Sequence, residues 1–149
     1  MGRTARFLAL LAWSGALCSA LSAAELGRAP AEWRGVWLLN RDAGASAVSA
    51  LDPAKVRELL GTTLSLDGGS AALGAVPCPS PSFAVSSESK EDFASDFRVE
   101  PIKVGITNDP VRLLHVDCKN YAYDVVRLAA DQGLVIYQGH FFTAVKHSQ

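Results

Sequence analysis

The chain has 149 residues, of which 49% are hydrophobic and 19% are charged, and its formal net charge is −1. This length and composition fit one globular domain, and they exclude a peptide hormone, a small disulfide-stapled scaffold and a wholly disordered chain. A near-neutral charge provides no concentrated basic surface, so no nucleic-acid partner is expected.

The first 24 residues have the three parts of a secretory signal peptide. Two arginines precede an apolar run at residues 7–17, and Ser22 and Ala24 suit the two small-residue positions of a signal-peptidase site. The alternative is a membrane anchor, but a span needs about 20 continuous apolar residues and this run is shorter. We therefore expect cleavage after Ala24, export to the bacterial periplasm or the extracellular space, and no membrane span afterwards.

Cleavage changes the composition of the protein. Removal of 24 of the 149 residues leaves 125, and the formal charge becomes −3 because the removed segment holds two arginines and no acidic residue. Cys18 is lost with the signal, which leaves Cys78 and Cys118. Such a pair in an exported protein indicates a disulfide, and two buried free thiols are the alternative.

The mature chain begins with a flexible lead-in at residues 25–32, and we place a single domain at residues 33–146. Residues 34–39 predict a first strand, and residues 40–50, which are small and polar, predict a loop. A short helix is predicted next.

The helix is bounded by residues typical of helix ends. Asp52 suits the N-cap, Pro53 the first helical position and Gly61 the position beyond the C-terminus, while Val56 and Leu59 lie on one apolar stripe. About eight residues are too few for a helix that is stable by itself, so it must dock on a sheet.

The remaining predicted elements are strands. We place them at residues 62–66, 70–76, 83–87, 102–107, 111–118, 121–128, 134–138 and 140–146. The prolines of residues 77–82 exclude a helix or a central strand, and the polar residues 86–96 predict a loop or one amphipathic turn. Gly139 marks a bulge or a bend. Short turns between about eight strands favour a mainly β fold, a single antiparallel up-and-down barrel with one short helix near its start.

These residues resemble a known family. Gly35-Val36-Trp37 is similar to the Gly-x-Trp that opens the lipocalin barrel, and the order of elements resembles that of small exported bacterial proteins with a lipocalin-like eight-stranded barrel. That group includes periplasmic inhibitors of lysozyme, so the resemblance implies a binding protein with structural roles for Gly35 and Trp37. The Ser-Gly-x-x-Tyr loop that such inhibitors present to lysozyme does not occur in the mature chain.

No motif for catalysis or metal binding stands out. Neither a Gly-x-Ser-x-Gly elbow nor a glycine-rich phosphate loop is present. His115, His140 and His147 lack the spacing of metal ligands, although His115 and Asp117 share one face of a predicted strand. We therefore predict no catalytic residue, no metal and no cofactor.

A small barrel holds either packed side chains or one ligand in its interior. If the interior is a pocket, the polar side chains that could orient a ligand or partner are Arg112, Tyr121, Tyr123, Arg127 and Tyr137. The alternative is that the tyrosines cover the sheet and the arginines extend into solvent. Trp37 is predicted to lie in the core, whereas Trp33 is expected to be exposed as a partner anchor or to cap an opening.

Together these features favour an exported, non-enzymatic β-barrel that binds another protein, as an inhibitor or an immunity-type partner of a wall-active enzyme or a toxin. A lipocalin-like carrier of a small apolar ligand is one alternative, and an enzyme of unrecognised type is the other.

Overall fold

The computed structural model of the protein describes residues 27–147. The predicted signal peptide lies outside these residues. The strands are β1 (Gly35–Ala45), β2 (Thr63–Asp67), β3 (Ser70–Leu73), β4 (Val76–Cys78), β5 (Ser82–Glu88), β6 (Val111–Asp117), β7 (Ala122–Arg127), β8 (Gln132–Tyr137) and β9 (His140–Lys146). The helices are α1 (Pro53–Leu59), α2 (Lys90–Phe97) and a 3₁₀ helix at Pro101–Val104. None of the described helices has the length and apolar character needed to cross a membrane.

All the described strands form one antiparallel sheet that curls into a half-barrel. Its order is β4-β3-β2-β1-β9-β8-β7-β6-β5, so β4 and β5 are its two edges. The antiparallel β class is confirmed, but the sheet has nine strands and two unjoined edges where a closed barrel of eight was predicted. Pro77 lies inside β4 and Pro79 and Pro81 follow it. Since proline has no N–H to donate, this stretch is poorly suited to a ladder with β5.

β1 is longer than predicted, and its pairing with β9 is irregular. It runs to Ala45, where a loop was expected, and it pairs with β9 as far as His140. The register of this pair shifts between Leu39 and Arg41 and again between Asp42 and Gly44. Such irregularities bend a strand and increase its twist, so β1 can pair with β2 and β9 while the sheet curls around α1.

The concave face of the sheet is filled by a hydrophobic core. Trp33, Trp37 and Phe142 are fully buried in it, and α1 adds Val56 and Leu59. The start of α1 agrees with its sequence signal, because Asp52 accepts a hydrogen bond from the Ala54 N–H at 2.6 Å. The interior of the half-barrel is therefore packed with side chains.

A second core lies on the convex face, beneath α2 and the 3₁₀ helix. Its buried members are Phe93, Val104, Ile106, Val111, Leu113, Val126, Leu134, Ile136 and Phe141. Phe93 stacks on Phe97 with ring centroids 4.5 Å apart. Because this layer covers β6–β9, those strands are buried on both faces, which explains adjacent apolar residues such as Leu113 and Leu114.

Two predictions for this layer were wrong or incomplete. Residues 102–107 do not form a strand, because Pro101 begins a 3₁₀ turn and Gly105 ends it with a left-handed φ of 89°. The polar segment at residues 86–96, predicted as a loop or one turn, contains most of the two-turn helix α2.

The predicted disulfide is present between Cys78 and Cys118, which are 40 residues apart in sequence and 5.0 Å apart at their Cα atoms. It joins edge strand β4 to the end of β6. The Tyr121 hydroxyl lies 3.3 Å from the carbonyl oxygens of Val76 and Pro77 and donates to them. The β4 edge is thus held by a covalent bond and by a tyrosine.

Part of the predicted lead-in packs against the sheet. Ala29 is fully buried, and its N–H donates to the Gly68 carbonyl at 3.0 Å. The Arg34 guanidinium donates in turn to the Ala29 carbonyl at 2.6 Å. The chain is therefore fixed to the β2–β3 turn before β1 begins.

Candidate functional site

The three tyrosines named from the sequence form one cluster. Tyr121 stacks on Tyr123 and meets Tyr137 edge to face, with ring centroids 6.2 Å apart in both pairs. Burial raises the pKa of Tyr121, and the neighbouring Tyr137 raises it further. Burial also strongly raises the pKa of Tyr123, whose hydroxyl is enclosed with no hydrogen-bond partner in the described residues. The phenols of Tyr121 and Tyr123 therefore stay neutral, and the Tyr121 hydroxyl supports β4 instead of lining an open cavity.

Trp33 and Trp37 both lie in the core. Trp33 is 0% exposed, so the prediction of an exposed anchor was wrong: the turn before β1 folds inward and brings its ring onto the concave face. The Trp37 indole N–H donates to the Trp33 carbonyl at 3.0 Å. This contact fixes the turn to the first strand.

Gly35 permits a close approach of β9 to β1. A Cβ at this position would lie 2.7 Å from Cε of Lys146, and the Gly35 φ of +134° is one that other residues rarely adopt. The Lys146 ammonium lies 5.2 Å from the centre of the Trp37 ring, within range of a cation–π interaction. Both end residues of the Gly-x-Trp tripeptide, Gly35 and Trp37, thus contact Lys146 of β9.

Arg112 and Arg127 line the same surface cavity, which has a volume of about 240 Å³. Arg112 lies 3.3 Å from the Glu32 carboxylate, and the Arg127 Nε–H donates to the Ala129 carbonyl at 3.4 Å. The structure therefore brings the two predicted arginines together, and none of the three tyrosines lines their cavity.

Two histidines form pairs with aspartates. The His140 Nε2 lies 2.8 Å from Asp42, and the His115 Nδ1 lies 2.8 Å from Asp124. Burial alone raises the pKa of Asp42, but hydrogen bonds from Gly44 and His140 and the charge of His140 outweigh it, so the pKa is lowered. The result is a hydrogen-bonded His–Asp pair that joins β1 to β9.

In the His115–Asp124 pair, burial has a larger effect on the pKa of the aspartate than the histidine does. Burial raises the pKa of Asp124, and the hydrogen bond and charge of His115 reduce that rise without cancelling it. His115 faces Asp124 across the β6–β7 ladder, so its partner is on the neighbouring strand and not at Asp117. Within residues 27–147, no group of three or more His, Cys, Asp or Glu side chains could hold a metal ion.

A groove of about 350 Å³ opens between α1 and the start of β9. Leu51, Val56 and Leu60 give it apolar walls, and Arg57 and His140 stand at its polar side. This site was not apparent from the sequence, because its residues come from three separate segments.

The other feature that sequence reasoning missed is the exposure of β5. This seven-residue strand pairs with β6 along its whole length and has no strand on its other side in the described chain. Five of its residues are exposed, among them Val85, which is 44% exposed. The alternation of small and apolar residues predicted a strand here, but only the sheet order shows that it is an edge.

Comparisons of the chain with known protein families, with curated proteins and with solved structures found no match.

Proposed function

We propose that this protein is an exported, non-enzymatic binding protein that holds another protein through the free edge of β5. The observation that carries the proposal is the contrast between the two edges of the sheet. The β4 edge has three residues, contains Pro77, and is covered by Tyr121 and the disulfide. The β5 edge has seven residues and none of these protections.

An unprotected edge is unusual for a protein that must stay soluble. Edge strands expose unpaired backbone groups, and proteins commonly blunt them with lysine, proline or a bulge. The β5 sequence is SFAVSSE, with no lysine or proline and with its one charge at Glu88, the last residue. Such an edge suits an extended segment of a partner, which would add as a further strand.

Side chains on β5 would add specificity to the backbone hydrogen bonds. Val85 pairs with Leu114 of β6 and therefore shares the concave face, while Ala84 pairs with His115 and shares the convex face. A bound strand would meet a small apolar surface on each side. We also propose that the protein is related to lipocalin-like proteins. The half-barrel and the Gly35-Val36-Trp37 tripeptide at the start of β1 support this relationship.

The partner would be a protein of the same exported compartment. The predicted signal peptide and the disulfide between Cys78 and Cys118 support that location. A wall-active enzyme or a toxin is the kind of partner that we favour, with the bound protein inhibited because the sheet covers its active surface.

Affinity capture with edge variants tests the proposal. The bait is the oxidised mature protein, and Val85→Lys places a charge on the β5 edge, where it should abolish retention of the partner. Val48→Lys is the matched control, because Val48 is an exposed valine outside β5, and it should retain the partner fully. Failure of the wild type to retain any protein, or equal retention by Val85→Lys, would contradict the proposal.

The groove beside α1 supports a second candidate, the binding of a small apolar ligand. Its volume of about 350 Å³ falls in the range of small-molecule sites. Native mass spectrometry of gently purified protein should then show a mass above that of the chain, and the excess should disappear after organic extraction. A spectrum with the chain mass alone would count against this candidate.

A further inference from the structure

Two arginines face each other across neighbouring strands at one end of the concave face. The β6–β7 ladder pairs Leu113 with Val126, and one step further along the same register Arg112 stands opposite Arg127. Arg112 is also opposite Ser87 of β5, and Arg127 is opposite Gly133 of β8. The two guanidinium groups therefore have small neighbours on either side.

Like charges directly opposite each other destabilise an antiparallel pair. The contacts available to offset this repulsion are weak. The one ion pair that these arginines make in the described chain joins Arg112 to Glu32 at 3.3 Å, and both side chains are partly exposed. Arg127 donates to a backbone carbonyl at 3.4 Å, which neutralises no charge. Proteins tolerate an unfavourable placement of like charges mainly at functional sites. The pairing of Arg112 with Arg127 therefore points to a function for these two side chains.

The two arginines share a cavity of about 240 Å³ with Asn108 and with three apolar residues, Pro110, Leu128 and Ala129. A guanidinium presents five N–H donors in a planar fork that matches the oxygens of carboxylate and phosphate groups. Two such forks on one cavity wall leave most of their donors available for a ligand.

We propose that Arg112 and Arg127 form an oxyanion-binding site that takes a carboxylate or a phosphate group. The formal net charge of the predicted mature chain is negative. The two arginines thus form a local positive patch on a chain of negative net charge. The oxyanion could belong to a free small molecule or to an acidic side chain of a bound protein. The site is formed by β6 and β7 and lies beside β5, but it does not use the free edge of that strand.

Thermal unfolding of the oxidised mature protein tests the site with defined probes. Sodium phosphate and sodium acetate are compared with sodium chloride at equal ionic strength, and at least one of the two should raise the Tm of the wild type. In Arg112→Gln and Arg127→Gln this rise should be lost, with binding weakened at least tenfold by calorimetry. Arg41→Gln changes an exposed arginine of β1 outside the cavity and should respond as the wild type does.

A stability measurement without oxyanion separates loss of binding from loss of folding. Because Arg127→Gln removes a like-charge repulsion, its Tm in chloride should equal or exceed that of the wild type. A Tm rise of the same size in all variants would show a general salt effect and would overturn the proposal, as would no rise in the wild type.

A short tetraglutamate peptide distinguishes the two sources of the oxyanion. Tighter binding of the peptide than of acetate, lost in Arg127→Gln, indicates an acidic protein segment, whereas phosphate binding without peptide binding indicates a free small anion. All of these responses are measured without a partner protein, so the site and the β5 proposal can fail independently.

Discussion

Gly139 shows at the residue scale how one position fixes two segments. Gln138 and Gly139 both have positive φ values, 49° and 75°, and join β8 to β9 in a two-residue turn. The Ser46 N–H donates to the Gly139 carbonyl at 2.8 Å, and the Ala50 N–H donates to the Gln138 carbonyl at 3.0 Å. The loop after β1 therefore rests directly on this turn, where the sequence indicated a bulge or a bend.

Replacement of Gly139 by alanine should destabilise the protein by at least about 1–2 kcal/mol, the cost of a left-handed conformation for a residue with a Cβ. The new Cβ would also lie 2.8 Å from the Ser46 Oγ and 3.0 Å from the Ser49 Cα, so the loop would have to move. Urea denaturation measures the loss. Gly69→Ala, with open space around its Cβ, should change the free energy of unfolding by no more than about 0.5 kcal/mol; equal losses would show that the contact is unimportant.

Glu88 is a carboxyl group in an unfavourable environment at the end of β5. Burial raises its pKa above the ordinary value of 4.5, and the negative charges of Asp96, Asp92 and Asp124 raise it further. Its Oε1 is enclosed and has no hydrogen-bond partner in the described chain. Because the pKa of Glu88 is higher in the folded than in the unfolded protein, its contribution to folding stability is fully present when the pH is below the unfolded-state pKa. That contribution is lost as the pH rises through the folded-state pKa.

Glu88→Gln should therefore raise the Tm at pH 7, and the gain should shrink on acidification and vanish below about pH 4, where both forms are neutral. Thermal unfolding between pH 3 and pH 8 measures the difference. Glu91→Gln serves as the control, because Glu91 is an exposed acid in the first turn of α2 and its loss should give no gain at any pH. A gain for Glu88→Gln that is independent of pH would point to packing instead of charge.

At the scale of elements, α2 shows why a helix made mostly of polar residues is hard to predict from the sequence. Its N-cap is Ser89, whose Oγ accepts a hydrogen bond from the Asp92 N–H at 3.1 Å. The surrounding residues are so polar that only Phe93 and Phe97 mark an apolar face. These two rings are enough because they pack onto a sheet that is already apolar on its outer side.

Ser89→Ala should cost about 1 kcal/mol, within the usual range for loss of an N-cap. The residue loses both the bond from the Asp92 N–H and the bond that its hydroxyl donates to the Asp92 carboxylate at 2.8 Å. Chemical denaturation measures the change in the free energy of unfolding. Ser86→Ala, at an exposed position of β5, is the control; if the two variants lose the same amount, the cap contributes nothing specific.

The predicted strands differ in how far local pattern defined them. β6–β9 were placed within a few residues, because they contain runs of apolar and β-branched residues between clear turns. Residues 102–107 have the same composition but form no strand, because Pro101 and Gly105 bound a 3₁₀ helix at Pro101–Val104. The buried side chains of Val104 and Ile106 supply the packing of this segment. Apolar composition alone could not separate these cases.

At the scale of the whole molecule, the disulfide stabilises the β4 edge of the sheet, which no backbone ladder joins to β5. The bridge closes a loop of 40 residues that contains β5, α2 and β6. In the chain-entropy model, a loop of this length contributes roughly 4 kcal/mol by restricting the unfolded chain.

Cys78→Ala together with Cys118→Ala should therefore lower the free energy of unfolding by roughly 4 kcal/mol in urea denaturation. Reduction of the wild type should reproduce the loss, which controls for the packing of the new alanines. Thiol titration of the denatured, unreduced mature protein should find no free thiol. A double variant as stable as the oxidised wild type would show that β4 is held by Tyr121 and the core alone.

The sequence by itself determined the β class, α1 with its cap, the disulfide pair and the core position of Trp37, because each of these depends on local periodicity, on end residues or on the count of cysteines. Only the tertiary structure decided the rest. The burial of Trp33, the second core beneath α2 and the opposition of Arg112 and Arg127 all depend on which strands become neighbours. So does the exposure of β5: a strand is an edge only when no other strand pairs with it, and no local pattern encodes that condition.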